Sequence, residues 1–219
     1  GLDIAKGEYV FFFDADDILE GDALSTMYET ASEKQADLLI GKYDIFNRHT
    51  TIAIHNLDDL IELEEIDKYN TDILWTFSLS NKLFRRDLIE KFNLRLPPVS
   101  YSEDGAFLTQ FLYRSSKIVG LDYIIFHYRR YDDMNSITAS ISPSKIRDYI
   151  TAHQMILASA EESFLRDYPE YNTIEEAREQ NSDIHNYLNT IIQKQLQIML
   201  NQFYIQFWSL DSDTVQLLV

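Results

Sequence analysis

The stretch Gly7-Glu8-Tyr9-Val10-Phe11-Phe12-Phe13-Asp14-Ala15-Asp16-Asp17 decides how the rest of the chain is read. Tyr9 to Phe13 is a near-continuous apolar run with the length and the β-branched and aromatic content of a fully buried strand. It stops abruptly in three carboxylates within four residues. In an open α/β sheet, ligands bind outside the carboxyl ends of the strands, so acids here are placed for chemistry. Two carboxylates ~4 Å apart repel by about 1 kcal/mol in water, and by roughly 4 kcal/mol at an effective dielectric of about 20. A turn that tolerates this either splays its acids into solvent or gives them a cation. An all-oxygen ligand set selects a hard divalent ion, Mg2+ or Mn2+, over zinc. A second reading of the same residues is structural, because Asp17 followed by Glu20 fits a capping box for the next helix. Local sequence leaves both readings open.

Composition narrows the function class. A chain of 219 residues suits one sizeable domain, or one domain with a helical appendage. Hydrophobic residues make up 45% and aromatics 13%, enough for a packed core. Lys and Arg number 19 against 36 Asp and Glu, a formal charge of −17. Such a surface repels nucleic-acid backbones and anionic membrane faces. An anionic ligand therefore needs a metal or local basic residues to offset the field. With no cysteine there is no disulfide, thiolate nucleophile or Cys-type zinc site. Neither a signal peptide nor an apolar run of about 18 residues is present, so a cytoplasmic protein is expected.

Residues 1–6 read as the end of a helix, with Leu2 and Ala5 turned inward and Gly7 as a left-handed stop. A helix this short does not stand alone, so the chain reads as beginning partway through a fold. Leu24, Met27, Tyr28 and Ala31 repeat at i, i+3, i+4 and i+7 and predict an amphipathic helix over 22–34. A strand is expected over 36–46, with 50–55 able to pair with it. Residues 57–68 read as a short acidic surface helix, and 72–79 as either helix or buried loop. Asn81 to Phe84 reads as a strand and 86–92 as a helix. Pro97 and Pro98 force an extended lead into Ser102-Glu103-Asp104, which opens a helix with Phe107, Leu108, Phe111 and Leu112 inward. Strands at 117–119 and 123–128 and a polar loop over 129–138 follow. Two helical blocks, 144–165 and 173–208, are separated by Pro169. Leu188, Ile192, Leu196, Met199, Leu200, Phe203 and Phe207 form a broad stripe on the second block. It is read as core packing, with membrane-surface contact the minor alternative.

Two further features carry chemistry. Glu103 and Asp104 sit where a helix N-terminus stabilises negative charge, which fits a cap, and equally fits an ionised base beside a hydroxyl. Arg129 and Arg130, with His127 before them and Ser136-Ile137-Thr138 after, could hold phosphate oxygens. His127 alone reads as a packed histidine or as a ligand.

In this order, Gly1-Leu2, Ala5-Lys6-Gly7-Glu8-Tyr9-Val10 and Phe13-Asp14-Ala15-Asp16-Asp17 resemble the middle of a family 2 glycosyltransferase with the GT-A fold. So do Asn81-Lys82-Leu83-Phe84-Arg85, Glu103-Asp104 with Phe107, and Tyr128-Arg129 with Ser136-Ile137-Thr138. The resemblance covers residues 1–140. It implies an α/β fold: a GT-A-like, Rossmann-like mixed sheet flanked by helices that lacks its first β-α-β part. An α-helical C-terminal extension over 141–219 follows.

The resemblance also implies roles. Asp16 would hold a divalent metal, Mn2+ or Mg2+, with His127 as a second metal ligand. Asp14 would sit on the ribose side of the donor, and Asp17 would support the sugar or the turn. Arg129, Arg130 and Ser136 would close over the donor phosphates. Asp104 would be the catalytic base, with Glu103 assisting or binding acceptor. The implied activity is inverting transfer of a hexose or N-acetylhexosamine from a nucleotide-sugar, a UDP-sugar first, to a hydroxyl of a glycan or lipid-linked acceptor. Cell-surface polysaccharide or cell-wall glycan synthesis is the implied setting, in the cytoplasm or at the inner face of the membrane. The C-terminal helices are candidates for peripheral membrane or oligomer contact. With no upstream nucleotide-binding part in these residues, the chain alone is expected to show little transfer.

Two competing classes remain. A metal-dependent phosphohydrolase would need more ligands, often His, near Asp14–Asp17. A non-catalytic helical interaction module would use the acidic motifs only as caps.

Overall fold

A computed structural model describes residues 1–47, 50–53, 57–130 and 142–206. The chain groups into two compact units, Gly1–Arg95 with Arg114–Asp132, and Leu96–Tyr113 with Asp133–Val219.

The first unit is built on a 6-stranded sheet of β1 (Tyr9–Phe11), β2 (Ile18–Leu19), β3 (Leu38–Phe46), β4 (Thr51–Ala53), β5 (Lys82–Arg85) and β6 (Ile118–Arg129). The order is β1-β5-β3-β6-β2, with β4 on the far part of β3. The β3–β6 pair is parallel and the other pairs are antiparallel. β3 opens with Leu38, Leu39 and Ile40 fully buried, the continuous apolar run of a strand covered on both faces. Helix α1 (Ala23–Glu33) packs Ala23, Met27 and Ala31 into a cluster with Leu39, Leu83, Val119, Ile125 and Phe126. Leu24 and Tyr28, expected on the buried stripe, are about half exposed. Small side chains at 23 and 31 let the helix lie close to the sheet, which turns the larger neighbours outward.

The two strands expected at 117–119 and 123–128 are one, β6. The sequence break around Gly120-Leu121-Asp122 does not turn the chain, because shifts in the β3–β6 register at Gly41–Tyr43 absorb it. Gly120 is required there by close approach: a Cβ would lie 2.5 Å from the Ile61 carbonyl oxygen of helix α2 (Asp58–Ile61). Asn81–Phe84 and 86–92 fold close to expectation, as β5 and helix α3 (Arg86–Lys91). Residues 72–79 resolve into a 3-10 helix, Thr71–Trp75, started by the Asn70 side chain accepting from the Asp72 N–H.

The N-terminal helix end shrinks to a single 3-10 turn, Leu2–Ile4, with extended backbone at Ala5. Gly7 does not supply a left-handed stop, since no described glycine has positive φ. β1 also departs from expectation. It is half-buried and, among the described residues, pairs only with β5, so it lies at a sheet edge.

The second unit holds helices α4 (Glu103–Leu112), α5 (Pro143–Asp167), α6 (Ile174–Gln180) and α7 (Ser182–Gln206). It takes in residues 96–113, so the compact units do not follow the division at residue 140 read from the sequence. Helices α5 and α6 each start on a side-chain cap. Ser142 accepts from the Lys145 N–H ahead of Pro143, and Thr173 accepts from the Glu176 N–H. The block read as one helix over 173–208 is two because Asn181 accepts from the N–H groups of Asp183 and Ile184 and restarts the helix. Tyr113 and Tyr187 share a hydroxyl contact of 3.0 Å between α4 and α7, and Tyr149 donates to the Gln195 carbonyl at 2.6 Å. Of the described stripe residues on α7, Leu188 is core, beside Ile184 and Ile191 from outside the stripe, Ile192 and Met199 are half-buried, and Leu196 and Leu200 are exposed. The Phe203 side chain and Phe207 lie outside the described residues. No helix among the described residues is long and apolar enough to cross a membrane.

Candidate donor site

The acidic turn joins β1 at one edge of the sheet to β2 at the other. Phe13 meets Phe126 of β6 edge-on at 6.3 Å and stacks on Phe11 at 5.7 Å, which anchors the crossing. The Asp17 N–H donates to the Asp14 carbonyl at 3.3 Å, and Asp14 and Asp16 face solvent. Arg129, at the end of β6, grips this turn twice. Its backbone N–H donates to Asp17 Oδ1 at 2.9 Å and its Nε donates to the Asp16 carbonyl at 2.7 Å. The guanidinium is held 4.7 Å from the centre of the Phe46 ring.

The other oxygen of Asp17, Oδ2, is buried without a hydrogen-bond partner. Burial pushes the Asp17 carboxyl above its ordinary pKa. The Arg129 N–H opposes that rise, and the charges of Asp16 and Asp14 add to it. A stranded carboxylate oxygen among like charges fits a cation as its missing partner. Among the described residues, no group of three or more His, Cys, Asp or Glu forms a ready metal cage.

The capping-box reading fails on geometry. Helix α1 begins at Ala23 with Asp22 as its N-cap and no side-chain cap bond. Asp17 and Glu20 precede it and bond elsewhere, Asp17 to Arg129 and Glu20 to His127.

His127 departs from its expected place in a metal shell. Its Nδ1 lies 2.6 Å from Asp44 Oδ1 and its Nε2 lies 2.8 Å from Glu20 Oε2. Both ring nitrogens are engaged by carboxylates, so neither lone pair is directed at a metal. Burial works against the charged ring, but the hydrogen bonds to Glu20 and Asp44 outweigh it and raise the pKa.

Residues 1–92 match the family model "Glycosyl transferase family 2". This part of the chain belongs to that family. The poly(ribitol-phosphate) beta-N-acetylglucosaminyltransferase TarP of Staphylococcus aureus is 33% identical over 118 residues, 52% of this chain and 35% of that protein. A cholesterol galactosyltransferase of Borreliella burgdorferi is 29% identical over 156 residues, 65% of this chain and 42% of its own length. The chain thus spans less than half of either relative. The crystal structure of S. aureus TarS in complex with UDP-GlcNAc superposes with a TM-score of 0.57 at 18% identity. That match covers 88% of this chain and 59% of the solved TarS chain (residues 1–349), and it shows that the fold is shared: a mixed sheet flanked by helices, with helices following.

Within the family 2 segment, Asn81 and Lys82 have a structural role. Lys82 is fully buried, and its Nζ donates to the Thr76 and Ser78 carbonyls at 2.8 and 2.6 Å and to Asn81 Oδ1 at 2.7 Å. Asn81 Nδ2 donates to the Gly41 carbonyl at 2.8 Å, pinning the loop before β5 to β3.

Of the sequence-derived site residues, the first unit brings Asp14, Asp16, Asp17 and Arg129 together. Arg130 is held by its backbone N–H on the Phe46 carbonyl at 2.8 Å, with an exposed side chain. Ser136 lies outside the described residues. Glu103 and Asp104 occupy the first turn of α4 in the second unit, part-buried. Ser102 before them is left-handed, φ 58 and ψ 19, and makes no side-chain cap bond. Sequence reasoning missed Glu20 and Asp44. The signal was available only as Asp44, an acid within a largely apolar strand candidate.

Proposed function

We propose that this protein is a glycosyltransferase that moves a sugar from a nucleotide-sugar to a hydroxyl acceptor, with Asp14–Asp17 and Arg129 at the donor diphosphate. The observation that carries the reading is the buried, unpartnered Asp17 Oδ2 in an acidic turn held by Arg129, in a segment that matches the family model. Asp16 and Asp17 are the residues that would hold a divalent ion, Mn2+ or Mg2+. Such an ion, when bound, supplies Lewis-acid neutralisation of the leaving diphosphate. Arg129, already fixed to the turn through its backbone N–H and Nε, directs the rest of its guanidinium to phosphate oxygens, and Arg130 adds a second positive charge nearby. This local balance answers the −17 charge of the chain, which by itself opposes an anionic donor.

Asp104 is the proposed base. At the N-terminal turn of α4 its ionised form is favoured by the helix dipole. It takes the proton of the acceptor hydroxyl as that oxygen bonds to the anomeric carbon. The bond from that carbon to the diphosphate breaks on the opposite face, and its electron pair leaves with the nucleoside diphosphate. One displacement by one base inverts the anomeric centre. Glu103 beside it is the proposed acceptor-binding residue. A UDP-sugar donor is favoured by the fold shared with TarS, solved with UDP-GlcNAc, and a cell-wall polyol-phosphate polymer by the likeness to TarP.

The test is calorimetric titration of UDP into the protein expressed from its complete reading frame, with and without Mn2+. Binding that depends on the metal supports the proposal. Absence of binding to any nucleoside diphosphate overturns it in favour of a non-catalytic module.

A further inference from the structure

We propose that His127 is a positioning residue of the donor site: a doubly hydrogen-bonded imidazolium that ties Glu20 to Asp44 and so holds the acidic turn against Arg129. The inference rests on the donor-site reading above for its functional consequence, and on geometry alone for the charged bridge.

β2 is only Ile18–Leu19, at an edge of the sheet, and its two register pairs are Ile18 with His127 and Leu19 with Phe126. So short an edge strand is a weak anchor for the turn that precedes it. Three further contacts reinforce it. The Glu20 N–H donates to the Ile125 carbonyl at 2.9 Å, the Arg129 N–H reaches Asp17, and the Glu20 carboxylate reaches His127 Nε2 at 2.8 Å. On its other side, His127 Nδ1 meets Asp44 at 2.6 Å, and Asp44 is the register partner of His127 in the parallel β3–β6 pair. The bridge therefore runs across three strands, from the residue after β2 through β6 to β3.

The chemistry of the bridge follows from its acceptors. Ionised carboxylates only accept, so a ring nitrogen facing each must carry a proton, and the ring bears a positive charge. Contacts of 2.6 and 2.8 Å are in the range of charge-assisted bonds. Asp44 is 6% exposed, and a buried carboxylate needs such a counter-charge. The Phe46 ring, edge-on to the imidazole at 6.5 Å, closes that side of the bridge while its face carries the Arg129 guanidinium. The residue that neutralises Asp44 and the residue that grips the turn thus share one aromatic support.

The experiment combines imidazole 15N NMR with UDP calorimetry in the presence of Mn2+, on the protein from its complete reading frame. At neutral pH both ring nitrogens of His127 should resonate as protonated, and Mg2+ alone should leave them unchanged. A deprotonated nitrogen, or a shift to a coordinated one with Mg2+, overturns the bridge. His127→Gln should weaken UDP binding by about 10-fold or more, as loss of a supporting contact does at comparable sites. Glu20→Ala, on a partly exposed side chain, keeps the Asp44–His127 contact and tests the tether if His127→Gln does not fold. It should weaken UDP binding several-fold while the protein still unfolds in one cooperative transition. UDP affinity within about twofold of wild type in Glu20→Ala overturns the positioning role. If wild type itself binds no nucleoside diphosphate, the donor-site reading fails, and the 15N spectrum still decides the bridge.

Discussion

Single residues carry the sharpest expectations, because each proposed role attaches to one atom. Asp16→Ala should abolish metal-dependent UDP binding, since the turn loses one of the two carboxylates proposed to hold the ion. Asp104→Asn should leave UDP binding intact and lower transfer by about 100-fold or more, the usual weight of a general base. Near-normal turnover in Asp104→Asn, measured with a radiolabelled donor, would show that the base lies elsewhere. His127 gives a pH dependence with a defined sign. Its folded pKa is raised above the ordinary value of 6.5 by Glu20, from the end of β2, and Asp44, from β3, with the Phe46 ring edge packed beside them. A raised pKa contributes stability that is complete below the unfolded value and is lost as pH rises through the folded one. The unfolding temperature of wild type should therefore fall as pH is raised above neutrality, and that part of the fall should be missing in His127→Gln. A wild-type curve matching the variant across this window would remove the charged bridge.

Elements reveal where loops and strands are locked together. The Lys82 ammonium meets three oxygens of the loop before β5 within 2.8 Å. Lys82→Met relieves the desolvation of a charge but strands the Thr76 and Ser78 carbonyls, each worth about 1–3 kcal/mol when left unmade. The stranded acceptors outweigh the relief, and a loss of roughly 2–4 kcal/mol in urea unfolding is expected. Gly120→Ala sets a Cβ against backbone rather than a flexible side chain, 2.5 Å from the Ile61 oxygen and 2.7 Å from its Cα. Helix α2 must shift to accept it, at a cost of roughly 1–3 kcal/mol. Gly21→Ala is the matched control, because nothing lies within 4 Å of its added Cβ. Equal unfolding midpoints for the two alanine variants would mean that α2 yields freely.

At the scale of the whole molecule, an exposed sheet edge and a strong net charge act against each other. β1 leaves one side without a described partner, and its flanks carry Ile4 at 81% and Phe13 at 39% exposure. An apolar edge of this kind is a template for pairing with another chain. A charge of −17 keeps copies apart over about 10 Å at 0.1 M salt and much less at 1 M. The 219-residue chain should therefore sediment as a monomer at low salt and associate as salt is raised, or as pH approaches its pI of about 4.5. A monodisperse species at high salt would show that the edge is protected.

Sequence by itself determined the α/β class, the family, the acidic turn and most helices and strands. Those depend on local periodicity and on residue types packed into a few consecutive positions. It also placed helix starts at 144 and 173, each within one residue of the observed start, where the cap is a short-range bond. Only tertiary structure ruled out the capping box for Asp17, whose carboxylate is taken by Arg129, distant in sequence and brought in by β6. The same holds for His127, whose two nitrogens are claimed by Glu20 and Asp44 across three strands. A side chain's chemistry follows its neighbours in space, and no spacing along the chain encodes which carboxylates a parallel register will place beside one imidazole.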